Sequence, residues 1–209
     1  MTAHPTRTVV RADKADADVL SEVIAQAFHP LAPSEWLIDD PVARRDIFPG
    51  YFRLYVEHAL EHGVVQTTQD RTAAALWIPM PAEPPEPSPE YAARLTAVTG
   101  RWASRFHTFD AALDSHHPAG TPHYHLAIIG VRPDRQGQGA GTALLNAYHQ
   151  ELDDELVAPA FLEASDLRTR QIYLRHGYVD HGAPIELPDG PKMYPMWRAG
   201  RAGAGMAGS

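Results

Sequence analysis

Apolar residues at Val19, Leu20, Val23, Ile24 and Ala27 recur every three or four positions, the spacing of one face of a helix. They predict a helix over residues 16–28, ended by Pro30 and Pro33 and preceded by a short strand at 8–11. Phe52, Tyr55, Val56, Ala59 and Leu60 repeat the pattern and predict a second helix over 51–61, stopped at Gly63. Pro49-Gly50 interrupts the pattern between this helix and residues 42–48, so one helix or two both fit. Residues 63–68 and 72–78 predict a hairpin about the polar turn Gln69-Asp70-Arg71. Five prolines between residues 80 and 89 exclude helix or central strand and predict a stiff surface connector.

A third helix fits residues 89–113, and His123–Val131 is the most strand-like run in the chain. A helix at 141–152, a strand at Ala160–Ala164 and a helix at 167–176 follow, the last stopped by Gly177. Strands are predicted at 178–185 and 192–197. The expectation is a single domain over 1–198 with a mixed α/β order. The Ala- and Gly-rich residues 199–209 are expected to form a disordered tail.

The 209 residues are 44% apolar and 21% charged, ordinary for a folded chain. Apolar runs fall far short of the roughly 20 residues of a spanning helix. The first residues lack the basic and apolar regions of a signal peptide, so no membrane and a cytoplasmic location are expected. With no cysteine, disulfides, thiolate nucleophiles and Cys-ligated zinc are excluded. Eighteen basic against 26 acidic residues give a net charge of −8, which predicts no nucleic-acid partner. A negative chain suits a cationic substrate, but the same charge also simply keeps a protein in solution.

The informative segment runs from His125 to Thr142, a strand leading into a loop with Gly137, Gly139 and Gly141 just before a helix. Glycines let backbone approach a ligand, and the free N–H groups of a helix N-terminus favour a phosphate. A flexible turn has the same composition. The loop lacks the lysine of a P-loop, and its G-x-G-x-G spacing is not the G-x-G-x-x-G of a dinucleotide fold. It does contain Gln136-x-x-Gly139-x-Gly141, and Val131-Arg-Pro-Asp precedes it. Further on come Phe161-Leu-Glu-Ala-Ser165 and Ile172-Tyr-Leu-Arg-His-Gly-Tyr178.

In these motifs and their order, the chain resembles the GNAT superfamily of acyl-CoA-dependent N-acetyltransferases over nearly its whole length except the tail. Within it, Gly130-Val-x-Pro-Asp134, Phe161–Ser165 and Leu187-Pro-Asp-Gly-Pro191 are most similar to puromycin N-acetyltransferase and its relatives. The resemblance implies a mixed, mostly antiparallel twisted sheet with helices on both faces, and acetyl-CoA as co-substrate without a metal. It implies that backbone at Ile129 and Val131 pairs with the pantetheine arm. It places the pyrophosphate on the backbone N–H groups of Gln136, Gly137, Gln138, Gly139, Ala140, Gly141 and Thr142. Tyr173 falls where the family has its general acid, and Thr169 stands where many relatives carry a cofactor-contacting asparagine. The implied reaction is acetyl transfer to the primary amine of a small molecule, by a monomer or homodimer. A protein N-terminus or lysine as acceptor, or an acyl-CoA-binding module without turnover, are the alternatives.

The residues themselves leave other readings open. Spacing alone also makes Tyr173 a core tyrosine between Ile172 and Leu174. Glu163 shares a strand face with Phe161 and Ser165, where it reads as a catalytic base or as a structural acid. His123 and His125, with His116 and His117 before them, lack an acid at metal-ligand spacing and read as packing. Trp36 with Glu35, Asp39 and Asp40 reads as an acceptor-pocket wall or as a solvated acidic loop.

Overall fold

A computed structural model describes residues 8–83 and 88–200. Strand β1 (Val9–Arg11) leads through a short 3-10 turn into α1 (Ala17–Phe28), α2 (Ala32–Leu37) and α3 (Pro41–His62). The hairpin is β2 (Val64–Thr68) and β3 (Ala73–Met80), followed by α4 (Pro89–Thr99) and α5 (Ala103–Asp114). The second half runs β4 (His123–Val131), α6 (Ala140–Glu151), β5 (Ala160–Ala164), α7 (Leu167–Arg175), β6 (Val179–Asp180), β7 (Ile185–Glu186) and β8 (Lys192–Arg198). These strands form one open mixed sheet in the order β1-β2-β3-β4-β5-β8-β6, with β7 also on β8. Every pairing is antiparallel except β4 with β5.

Helix α2 was not expected, since Pro33, taken as a stop, lies in its first turn. Elsewhere the alternative left open at Pro49 is decided, and two elements depart from the sequence expectation. Helix α3 runs unbroken through Pro49. Asp40 caps its start by accepting from the N–H of Val42, 2.9 Å away, and Phe48 packs on Phe52 across the proline with ring centroids 5.3 Å apart. A continuous aromatic face thus outweighs the lost backbone hydrogen bond. The helix expected over 89–113 is two helices, because Gly100 takes φ 55° and ψ −124°, a conformation open essentially to glycine alone. The strand expected over 178–185 is β6 and β7, two short pieces that meet β8 separately. Residues 84–87 of the proline-rich connector and 201–209 of the tail lie outside the described residues.

Alternation along the strands sends side chains into two cores. Ala74 and Leu76 pack with α1, α3 and α5, whereas Ala73, Ala75 and Trp77 pack with α6. On β4 this alternation is reversed part-way. Leu76 pairs with Ile128 and Trp77 with Leu126, leaving Ala127 unmatched as a β-bulge. Leu126 therefore packs with the α6 core and Ile128 with the opposite one. Strands β4 and β5 pair only at Tyr124–Ala160 and His125–Phe161. Beyond His125 that edge of β4 has no strand partner among the described residues, and the sheet opens. Among the described residues, no helix is long and apolar enough to cross a membrane.

Candidate functional site

The opening between β4 and β5 is a cleft of about 250 Å³. Residues 125–131 of β4 line one wall, and Leu162, Glu163 and Ser165 on β5 with Thr169 and Tyr173 on α7 line the other. Tyr51 and Phe52 from the α1/α3/α5 core and Leu126 and Leu162 from the α6 core border the same space. The cleft therefore passes through the sheet and joins its two faces.

At one mouth, β4 turns into the glycine loop. Gly137 and Gly139 take φ of 72° and 87°. A Cβ at either would meet nothing within 4 Å, so the glycines serve the backbone turn and leave the space outside it clear. Gly139 is the left-handed N-cap of α6, and no side chain caps that helix end. The first N–H groups of α6, from Ala140, Gly141 and Thr142, are thus available to an anion. Gln136 ties the loop back by donating from Nε2 to the Val131 carbonyl at 3.1 Å. Backbone at Val131 was expected to pair with the pantetheine arm, and its carbonyl accepts this one hydrogen bond from the loop. Ile129 and Val131 border the cleft on the edge of β4 that β5 has left.

Thr169 lines the cleft, but its hydroxyl is engaged locally. It donates to the Asp166 carbonyl at 3.0 Å and accepts from the Asp166 N–H at 3.2 Å, while its own N–H donates to Asp166 Oδ1 at 2.7 Å. This capping box at the start of α7 was not recognised in the sequence, although Asp166-x-x-Thr169 carries it. Tyr173 is half-buried on the cleft wall, its ring 5.8 Å from that of Tyr178. Burial pushes its pKa well up, with the Asp166 charge adding to the effect, so the phenol stays protonated.

Glu163 sits where the strands part, its side chain only 5% exposed. Oε2 lies 2.8 Å from His125 Nε2, and Oε1 has no hydrogen-bond partner among the described residues. The acid that sequence spacing did not show beside the histidines is therefore Glu163, brought in across the last rung of the β4–β5 ladder. His117 Nε2 lies 3.1 Å from His123 Nε2, and burial, followed by the charge of His125, pushes the His117 pKa down to about 4. One donor atom each from His117, His125 and Glu163 fall within 4.8 Å of one another, a set able to hold a divalent ion.

The wall expected from Trp36 and its acidic neighbours lies elsewhere. Trp36 donates to the Pro188 carbonyl at 2.8 Å, Glu35 is 3.8 Å from Arg44, Asp39 is 3.8 Å from Arg105, and Asp40 caps α3. Ser34 and Leu37 of the same helix line the cleft instead. Sequence reasoning also missed Tyr51 and Tyr55: Tyr55 was marked only as part of a helical packing face, and Tyr51 only as the start of that helix. Their hydroxyls are 3.3 Å apart, and the chain continues through Tyr91 to Asp110, whose pKa burial pushes up to about 6.

A strand that parts from its parallel neighbour, a glycine loop and an uncapped helix end together could hold an extended, phosphate-bearing ligand. Residues 111–198 match the family model of the acetyltransferase (GNAT) domain. Over this stretch the chain is similar to that domain. Solved structures agree over nearly the full length. A Corynebacterium glutamicum protein described as "histone acetyltransferase HPA2 and related acetyltransferase" superposes with a TM-score of 0.71 at 26% identity, covering 95% of this chain and 99% of that one. Arylalkylamine N-acetyltransferase 2 from Aedes aegypti shares the fold, with a TM-score of 0.59, 12% identity and coverage of 92% and 98%. So does the ribosomal-protein-S18-alanine N-acetyltransferase of Escherichia coli, with a TM-score of 0.53, 17% identity and coverage of 97% and 99%. The matched stretch contains the glycine loop and the parting of β4 from β5, and helices of the first half line the other side of the cleft.

Proposed function

We propose that the protein is an N-acetyltransferase that moves the acetyl group of acetyl-CoA to the primary amine of a small molecule. The observation that carries this reading is the cleft through the sheet. It has an anion-binding helix end at one mouth and a buried carboxylate beside an apolar chamber at the other.

In this reading the backbone N–H groups of residues 136–142 hold the pyrophosphate, and the free edge of β4 at Ile129 and Val131 takes the pantetheine arm as an added strand. Thr169, its hydroxyl bound to Asp166, contributes only contact surface. The acceptor enters from the α1/α3/α5 side as an ammonium. Glu163 takes one proton, directly or through a water, and the neutral nitrogen attacks the thioester carbonyl. The C–N bond forms, the C–S bond breaks, Tyr173 donates a proton to the departing thiolate, and the nitrogen's second proton returns to the Tyr173 phenolate through water, while Glu163 gives its proton to solvent as the products leave. No step calls for a metal. The products are the amide and free CoA.

A small pocket lined by apolar and aromatic side chains favours a small amine over a protein segment. The segments similar to puromycin N-acetyltransferase make antibiotic-like amines one acceptor class to screen, with the cytoplasm as the place of action. The test is thiol release from acetyl-CoA over a panel of primary amines. Because the chain has no cysteine, it adds no protein thiol to the signal. Amine-dependent CoA release supports the reading. Tight acetyl-CoA binding with no release on any amine or N-terminal peptide assigns the protein as a binding module.

A further inference from the structure

The charge and shape of the cleft beyond Glu163 narrow the acceptor further, and this inference rests on the acetyl-transfer reading above. Ala160, Leu162 and Ala164 of β5 pack in the α6 core, so Glu163, on the alternate face, points into the chamber bounded by α1, α3 and α5. Among the described residues lining the cleft, Glu163 is the sole carboxylate and His125 the sole imidazole, and no lysine or arginine joins them. Glu163 is nearly fully buried, and its Oε1 is unpartnered, which leaves one hydrogen-bond acceptor for one ammonium. The chamber around it is aromatic. Phe28 and Phe52 meet with ring centroids 5.0 Å apart, and Tyr51, Tyr55 and Phe109 continue the wall.

We infer that the acceptor is a monoamine borne on a single apolar or aromatic ring, and that diamines are rejected. A ring finds π faces and edges to pack against, and its ammonium finds the buried carboxylate. A second ammonium in the same chamber would be desolvated against phenyl rings with no second carboxylate among the residues lining the cleft. The volume of about 250 Å³, part of it taken by the acetyl-bearing end of the co-substrate, leaves space for one ring.

The test is calorimetric titration of the protein saturated with CoA, which permits the acceptor to bind without turnover. The probes are 2-phenylethylamine, 1,4-diaminobutane and 2-phenylethanol. The expected result is binding of 2-phenylethylamine about tenfold or more tighter than either of the others. In Glu163→Gln the advantage of the amine over the alcohol should vanish, with CoA affinity unchanged. The wild-type series alone decides the matter if that variant fails to fold. Equal or tighter binding of the diamine, or no binding of 2-phenylethylamine to CoA-loaded protein, overturns the inference. Failure to bind CoA, by contrast, strikes at the acetyl-transfer reading itself.

Discussion

His125 Nε2 lies 2.8 Å from Glu163 Oε2, at the last point where β4 and β5 pair before the sheet opens. The pair leaves Oε1 of Glu163 free to take a proton from an acceptor in the cleft. Glu163→Gln keeps the side chain's shape and its link to His125 but cannot act as a base. Its kcat/KM for the amine should fall about 10²- to 10⁴-fold, with the Kd of acetyl-CoA unchanged. Steady-state kinetics check this, and an unaltered kcat/KM would remove Glu163 from catalysis.

Tyr173→Phe keeps the ring that packs near Tyr178 and deletes only the hydroxyl. The kcat should drop about 100-fold, the low end for an acid–base group, because a CoA thiolate also collects a proton from water. Single-turnover measurements isolate the chemical step. A matching loss of acetyl-CoA affinity would instead assign the phenol to binding.

Buried ionisable groups set two opposing pH dependences of stability. Burial pushes His149 down to about 3 and His117 down to about 4, whereas an unfolded histidine takes its proton near about 6.5. Their stabilisation is complete above that pH and is lost as pH falls through the interval toward 4 and 3. Asp110 acts in the other direction. Its folded pKa, pushed up to about 6, exceeds the unfolded value of about 3.9, so its cost is full above pH 6 and disappears below about 4. Asp110→Asn should therefore stabilise the protein by about 2 kcal/mol at pH 8, and the gain should shrink steadily between pH 6 and 4. Thermal or urea unfolding at several pH values reads both effects. A gain independent of pH would contradict the assignment.

The cluster of His117, His125 and Glu163 makes zinc an expected inhibitor. One donor atom from each lies within 4.8 Å of the others, and the low pKa of His117 keeps that imidazole neutral at ordinary pH. Inhibition should be competitive with the amine and not with acetyl-CoA, and His117→Gln should weaken it about tenfold or more. Purely cofactor-competitive inhibition would place the ion elsewhere.

The legible parts of this protein were those encoded locally. Strands β4 and β5 match their sequence boundaries, because a continuous apolar run between turn residues is a local signal. The glycine loop is equally local, since Gly137 and Gly139 are needed for backbone turning at those positions. What escaped was set by packing between distant segments. Pro49 lies within a helix because Phe48 and Phe52 pack on either side of it, and the break at Gly100 is a conformation that periodicity does not register. The bulge at Ala127 reverses which β4 side chains face which core, and no motif announces it. Glu163 and His125, 38 residues apart, became a pair only through the parallel pairing of β4 with β5. Residue type alone made each of them look as much structural as chemical.

Titration of acetyl-CoA into the wild-type protein and into Gly139→Val tests the central claim most directly. Gly139 holds φ 87° at the uncapped start of α6, a conformation that a β-branched residue adopts only with strain, and it leaves clear the space the pyrophosphate would fill. The account predicts saturable one-to-one binding to the wild type and loss of that binding in the variant, with far-ultraviolet circular dichroism showing the variant folded. No binding to the wild type, or equal affinity in the folded variant, would contradict it.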